Sequence, residues 1–174
     1  MSARGATVWL TGLSGAGKTT TAHAVREALR ADGLAGVVLD GDELRRGLSS
    51  DLGFTAADRD ENVRRAGEVA RLLNEQGLVV VVALISPRAS ARRAVRARHE
   101  AEGLTFVEVY LDTPLEVCER RDPKALYRRA RGGENFQLTG VDDPYEPPTR
   151  AELVISTERC APQEAARAIL TALR

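Results

Sequence analysis

Gly12-Leu13-Ser14-Gly15-Ala16-Gly17-Lys18-Thr19 fits the pattern G-x-x-x-x-G-K-[ST], a loop whose backbone N–H groups surround a polyphosphate. Its context fits too. Ala6-Thr7-Val8-Trp9-Leu10 before it is short, apolar and rich in strand formers, and Thr20 to Arg30 after it has apolar residues at helical spacing with no Gly or Pro. In a strand–loop–helix unit the glycines let successive N–H groups point inward, and the helix adds its positive end. The sequence therefore predicts that residues 12 to 17, with Thr20, bind ATP phosphates, that Lys18 reaches the β- and γ-phosphates, and that Thr19 ligates Mg2+.

Composition narrows the classes. At 174 residues the chain is long enough for one substantial core, and 25 basic against 25 acidic residues give zero net charge. Nucleic-acid binding is demoted, because it usually brings a basic excess. Cys118 and Cys160 stand far apart in no metal-binding spacing, so idle thiols are expected. No apolar run is long enough to cross a bilayer and none resembles a signal peptide, which makes a cytoplasmic protein without membrane contact the expectation.

Downstream, strands alternate with helices. Gly36 to Asp40 reads as a strand ending in acid, and Asp40-Gly41-Asp42 beside a phosphate loop makes both carboxylates candidates for magnesium or proton chemistry. Glu43 to Leu48 predicts a short helix. Thr55-Ala56-Ala57-Asp58 resembles a capping box, and a helix with one apolar face follows to Glu75, with Arg59, Arg64, Arg65 and Arg71 off that face and most of them read as solvated.

Leu78 to Ile85 is an eight-residue apolar run, suited to a central strand that leads into Ser86-Pro87. Arg88 to Glu102 predicts a helix, Leu104 to Leu111 a fourth strand, Pro114 to Arg121 a helix, Glu152 to Ser156 a fifth strand and Pro162 to Leu173 a last helix. The expected fold is α/β: a single three-layer sandwich over residues 1–174 around a five-stranded, mostly parallel sheet, of phosphate-loop kinase type. Arg120 to Arg131 reads as a basic helix, and with the Gly- and Pro-bearing loop after it predicts a lid over roughly 122–148. These features reach as far as a kinase or nucleotide hydrolase acting on something small.

Longer words carry a resemblance. Asp40-Gly41-Asp42, Arg45, Gly47-Leu48, Asp51-Leu52-Gly53-Phe54, Asp58-Arg59, Glu61-Asn62, Ile85-Ser86-Pro87, Arg121-Asp122-Pro123-Lys124 and Thr139-Gly140-Val141-Asp142-Asp143-Pro144-Tyr145-Glu146 resemble, in order and spacing, the adenylylsulfate kinase family. The likeness covers nearly the whole chain. It implies transfer of the γ-phosphoryl of Mg-ATP to the 3′-hydroxyl of adenosine 5′-phosphosulfate. It also implies that Arg45, Arg59 and Asn62 hold the phosphosulfate, that Phe54 stacks on the acceptor's adenine, and that Ile85 and Lys124 line that pocket. Asp42 then acts near the 3′-hydroxyl and magnesium, with Asp40 behind it.

The family marks Ser86 as a phosphoserine, whereas direct in-line transfer is the reading favoured here. Leu138 stands where the family usually has the Phe of a second adenine wall, with Phe136 two residues earlier, and Arg88-Ala89 also depart from the pattern. A leucine face in place of aromatic stacking costs on the order of 1 kcal/mol. The resemblance further implies a possible homodimer and an acceptor supplied by a sulfurylase on a separate chain. A sugar-acid or nucleoside kinase of similar build, and a nucleotide-binding module without turnover, remain the alternatives.

Overall fold

The computed structural model describes residues 5–134 and 138–173; Phe136 lies outside them. Five strands form one sheet: β1 (Ala6–Thr11), β2 (Gly36–Asp40), β3 (Val79–Ala83), β4 (Thr105–Leu111) and β5 (Leu153–Ile155), in the order β2-β3-β1-β4-β5. Every pairing is parallel, so the sheet is wholly rather than mostly parallel. Strands buried on both faces need apolar residues at every position, which Val79 to Ala83 supplies. Alternate residues feed two cores. Val8, Leu10, Val79 and Val81 pack with Val25, Leu29 and Ile169 of α1 (Lys18–Ala31) and α7 (Pro162–Ala172). Trp9, Val80 and Val82 pack with Val63, Ala70 and Val95 of α3 (Ala56–Glu75) and α4 (Ala89–Glu100).

Three local expectations change. β3 stops at Ala83 rather than Ile85, level with the end of β2: Asp40, the last residue of β2, and Leu10 of β1 are its last partners in register. Leu84 stays buried, but the chain then leaves the sheet. The basic stretch 120–131 is not one helix. It divides into α5 (Leu115–Arg121) and α6 (Leu126–Arg131), with Asp122 at φ 25° and Ala125 at φ 54° between them. Pro123 is the cause, since it lacks an N–H and disfavours helical geometry in the residue before it. The Asp122 carboxylate then accepts from the N–H groups of Tyr127 (3.1 Å) and Arg128 (3.0 Å) at the start of α6.

The arginines of α3 are the third change. Arg64 is solvated, but the Arg59 and Arg71 side chains are each only 11% exposed, and Arg71 is held by Glu68, Glu75 and Glu102. Between β2 and α3 lies α2 (Gly41–Arg46). The order 2-3-1-4-5 brings the carboxyl ends of β1, β2 and β3 to one edge of the sheet, beside the crevice where open α/β sheets receive ligands.

Candidate active site

The turn from β1 to α1 is built from left-handed residues. Gly15 has φ 76° and Gly17 φ 95°. A Cβ on Gly15 would come within 2.9 Å of the Cys118 carbonyl oxygen, so no side chain fits there. Lys18 folds back over this arch, and its Nζ donates to the carbonyls of Gly12 (2.8 Å) and Leu13 (2.6 Å). Burial lowers its pKa to about 8, with help from the neighbouring Lys124. A desolvated ammonium beside another cation favours an arriving polyanion. Ser14 is joined to α6 by its carbonyl, which accepts from the Tyr127 hydroxyl at 2.8 Å; Ala16 is buried and Thr20 exposed, at the head of α1.

The two carboxylates take separate positions. Asp40 caps α2, accepting the Asp42 N–H at Oδ1 (2.9 Å), while its Oδ2 accepts from the Thr19 hydroxyl (2.6 Å). Asp42 pairs instead with Lys124 from across the cleft. Among the described residues no three His, Cys, Asp or Glu side chains cluster as a metal cage. A hydroxyl with a carboxylate behind it fits magnesium nonetheless, because that ion takes one or two protein oxygens and completes its shell with phosphates and water.

The facing wall comes from α2, the turn after it and α3. The Arg45 guanidinium lies 4.5 Å from the Phe54 ring centroid and donates to the Gly53 carbonyl (2.8 Å), leaving Phe54 62% exposed with its other face open. Arg59 donates from Nε to the Phe54 carbonyl (2.9 Å) and from Nη1 to the Thr139 hydroxyl, with Asp143 at 3.7 Å. Arg45 is made a stronger acid by burial and then by repulsion from Arg59, so an anion beside it would offset that shift. Asn62 is 4% exposed and its Oδ1 lacks a partner. Such an orphaned buried atom is expensive unless a ligand meets it.

Ile85 and Ser86 form the floor. The Ser86 hydroxyl is buried, accepts from Trp9 Nε1 (3.1 Å) and donates to the Thr11 hydroxyl (3.0 Å). Leu138 is also buried, and it packs with Tyr127 in the core beneath α1 while contributing to the cleft edge. Together these residues line a cleft of about 1370 Å3. A pocket for a single small ligand has roughly 300–1,000 Å3, so the cleft has room for more than one small ligand.

Arg121, quoted above in a family word, reaches the loop, and the lining residues Thr157, Cys160 and Pro162 went unread in the sequence. Arg121 donates to the Gly15 carbonyl (3.3 Å) and to the Thr157 hydroxyl (2.8 Å), and Thr157 in turn donates to the Ala16 carbonyl (2.8 Å). Cys160 and Pro162 extend the cleft past them. Thr157 belongs to no motif, and only folding brings it against the loop.

The family model for adenylylsulphate kinase matches residues 4–156. The chain belongs to that family. It is 53% identical over 171 residues to an adenylyl-sulfate kinase of Paraburkholderia xenovorans, covering 98% of this chain and 94% of the relative. Against an adenylyl-sulfate kinase of Escherichia coli strain K12 the identity is 54% over 156 residues, 90% of this chain and 77% of the other. Among solved structures it is similar to the Mycobacterium tuberculosis APS kinase CysC in complex with AMPPNP and APS, with a TM-score of 0.94 and 48% identity over 98% of both chains. A Sinorhizobium meliloti gluconokinase, 21% identical at a TM-score of 0.59, shares the fold. Among the described residues no helix is long and apolar enough to cross a membrane.

Proposed function

We infer that this chain is an adenylyl-sulfate kinase, passing the γ-phosphoryl of ATP to the 3′-hydroxyl of adenosine 5′-phosphosulfate to give ADP and 3′-phosphoadenosine 5′-phosphosulfate. The observation that carries the reading is the pairing of a phosphate loop with an opposed anion clamp. Arg45 and Arg59 both line the cleft opposite the loop, and burial together with the nearby Arg59 charge holds the Arg45 guanidinium below its ordinary pKa, which favours an anion at that wall. The unpartnered Asn62 Oδ1 beside them can take a hydrogen bond from a ligand donor such as a hydroxyl. A neutral sugar or nucleoside would not need that charge. The solved relative that holds AMPPNP and APS supports the same pairing of ligands.

In this reading the loop N–H groups and Lys18 orient the triphosphate, and Lys18 leaves the Gly12 and Leu13 carbonyls to do so. Thr19, with Asp40 behind it, holds magnesium, which when bound neutralises phosphate charge. Asp42 accepts the proton of the 3′-hydroxyl as that oxygen attacks the γ-phosphorus, the bond to the β-phosphate oxygen breaks, and Lys124 and Arg121 face the charge that spreads over the phosphoryl. Phe54 stacks on the acceptor base with its free face, and Leu138 bounds the same pocket. Pro123, Lys124, Leu126, Arg129 and Leu138, from the stretch expected to act as a lid, line the cleft and limit the access of water to it.

Positioning of two reactants, with no covalent stage, suffices for such transfer. Ser86 supports this, since its hydroxyl already serves Trp9 and Thr11. The test is coupled ADP release with adenosine 5′-phosphosulfate, gluconate and adenosine as separate acceptors. Turnover confined to the first is expected. Turnover with gluconate or adenosine alone, or nucleotide binding with none, overturns the reading.

A further inference from the structure

Arg92 lies on α4, away from every phosphate-binding group, and its side chain is 2% exposed. Its guanidinium serves three segments at once. Nε donates to Glu108 Oε1 on β4 (2.8 Å), Nη1 to the Ser86 carbonyl (2.6 Å) and Nη2 to the Glu146 carbonyl (2.6 Å), while its central carbon lies 5.7 Å from the Tyr145 ring centroid. A planar fork of donors can span such targets; an ammonium cannot.

Both carbonyls belong to places that need fixing. Ser86 is held at φ 42°, in the region L residues disfavour, and directly follows Ile85 on the cleft floor. Glu146 ends the stretch that begins with Leu138 and Thr139, the latter receiving the Arg59 guanidinium. The two places are sewn together around Arg92. Glu146 N–H donates to the Pro87 carbonyl (2.9 Å), its carboxylate accepts from Ala89 N–H (2.8 Å), and the Tyr145 hydroxyl meets the Thr11 hydroxyl (2.8 Å), which donates to the Ile85 carbonyl (2.7 Å).

A buried ion pair is a poor way to gain stability, since apolar residues of similar volume usually do as well or better. What Arg92 gives instead is a fixed distance between the 85–87 turn and the 138–146 segment. We propose that Arg92 is a positioning residue for the acceptor half of the cleft, setting the floor at Ile85–Ser86 and the wall at Leu138–Thr139 against Arg59 without touching either nucleotide. The inference rests on the kinase reading above.

The test compares Arg92→Lys, which keeps the charge but loses the fork, with Arg92→Met/Glu108→Gln, which removes the pair without leaving a buried lone carboxylate. For each, kcat, both KM values and the thermal midpoint are measured. Losing two charge-assisted bonds to the backbone should raise the KM for adenosine 5′-phosphosulfate about tenfold or more, with the KM for ATP within about twofold of wild type. Overturning results are an unchanged acceptor KM in Arg92→Lys, or both KM values rising together as the midpoint falls. If neither variant folds, Tyr145→Phe decides: a severalfold rise in acceptor KM alone supports the proposal, and no change sinks it. Wild-type protein inactive on this acceptor would overturn the kinase reading, whereas active wild type with unresponsive variants overturns only the role of Arg92.

Discussion

Ser86 combines a strained backbone with a hydroxyl that is fully engaged, and these two facts set what its removal does. Ser86→Ala strips the Trp9 indole N–H of its acceptor, and a buried donor left unpaired costs about 1–3 kcal/mol. The expected result is a lower thermal midpoint with turnover within about tenfold of wild type, and no radiolabelled phosphate retained by protein incubated with γ-labelled ATP. A covalent route predicts loss on the order of a thousandfold or more, so that loss would restore the phosphoserine. Arg59 behaves oppositely. Its contacts with Phe54 and Thr139 fix the rim of the proposed acceptor pocket, and charged hydrogen bonds are worth about 1.5–3 kcal/mol. Arg59→Ala should therefore reduce kcat/KM for the acceptor roughly ten- to a hundredfold while the KM for ATP holds, as initial-rate kinetics would report.

At the scale of elements, the parts legible in the sequence were those governed by local rules. The capping box at Thr55 and Asp58 is present, and β2 spans Gly36–Asp40 as its pattern predicts. What local rules missed was set by neighbours. The end of β3 coincides with the end of its edge neighbour β2, and the break at 122–125 needed the weight of Pro123 against a run of helix-forming residues. The exposed look of the α3 arginines also misled, because acids from other segments close over them.

Arg65 illustrates this: it binds Glu61 within the helix and Asp51 in the preceding turn, tying residues 48–51 to α3. Hydrogen bonds from Arg64 and Arg65 hold the Glu61 carboxyl down to about 2. A carboxylate depressed in the folded state stabilises above its unfolded pKa, and that contribution is lost as pH falls through the folded one. Glu61→Gln should thus lower the thermal midpoint by a few degrees at pH 7, and the gap to wild type should close as pH falls from about 4.5 toward 2. A gap that stays constant over that window would show the pair contributes nothing electrostatic.

For the whole molecule, the sheet order turns separate sequence words into one site. The phosphate loop, Asp40 and Ile85–Ser86 follow β1, β2 and β3, strands that lie side by side although α1 to α3 intervene in the chain. Thr157 and Arg92 enter the site's framework from later elements that carry no phosphate-binding word, and only tertiary structure reveals them.

The same arrangement makes the ligand-free protein hold Lys18 at a loss, its ammonium desolvated and its pKa lowered to about 8. A lysine depressed this way penalises folding at neutral pH, and the penalty lifts as pH rises from about 8 toward the ordinary 10.5. Nucleotide binding repays it. Mg-ATP at a hundredfold excess over its Kd should stabilise by about 2.7 kcal/mol, or roughly 5–10 °C for a chain of this size. Chelating the metal should remove most of that shift. Lys18→Met should abolish it and leave the ligand-free midpoint no lower than wild type, the signature of a residue kept for function against stability. A variant that melts well below the ligand-free wild type, or that still gains the full shift with Mg-ATP, would refute this view of the loop.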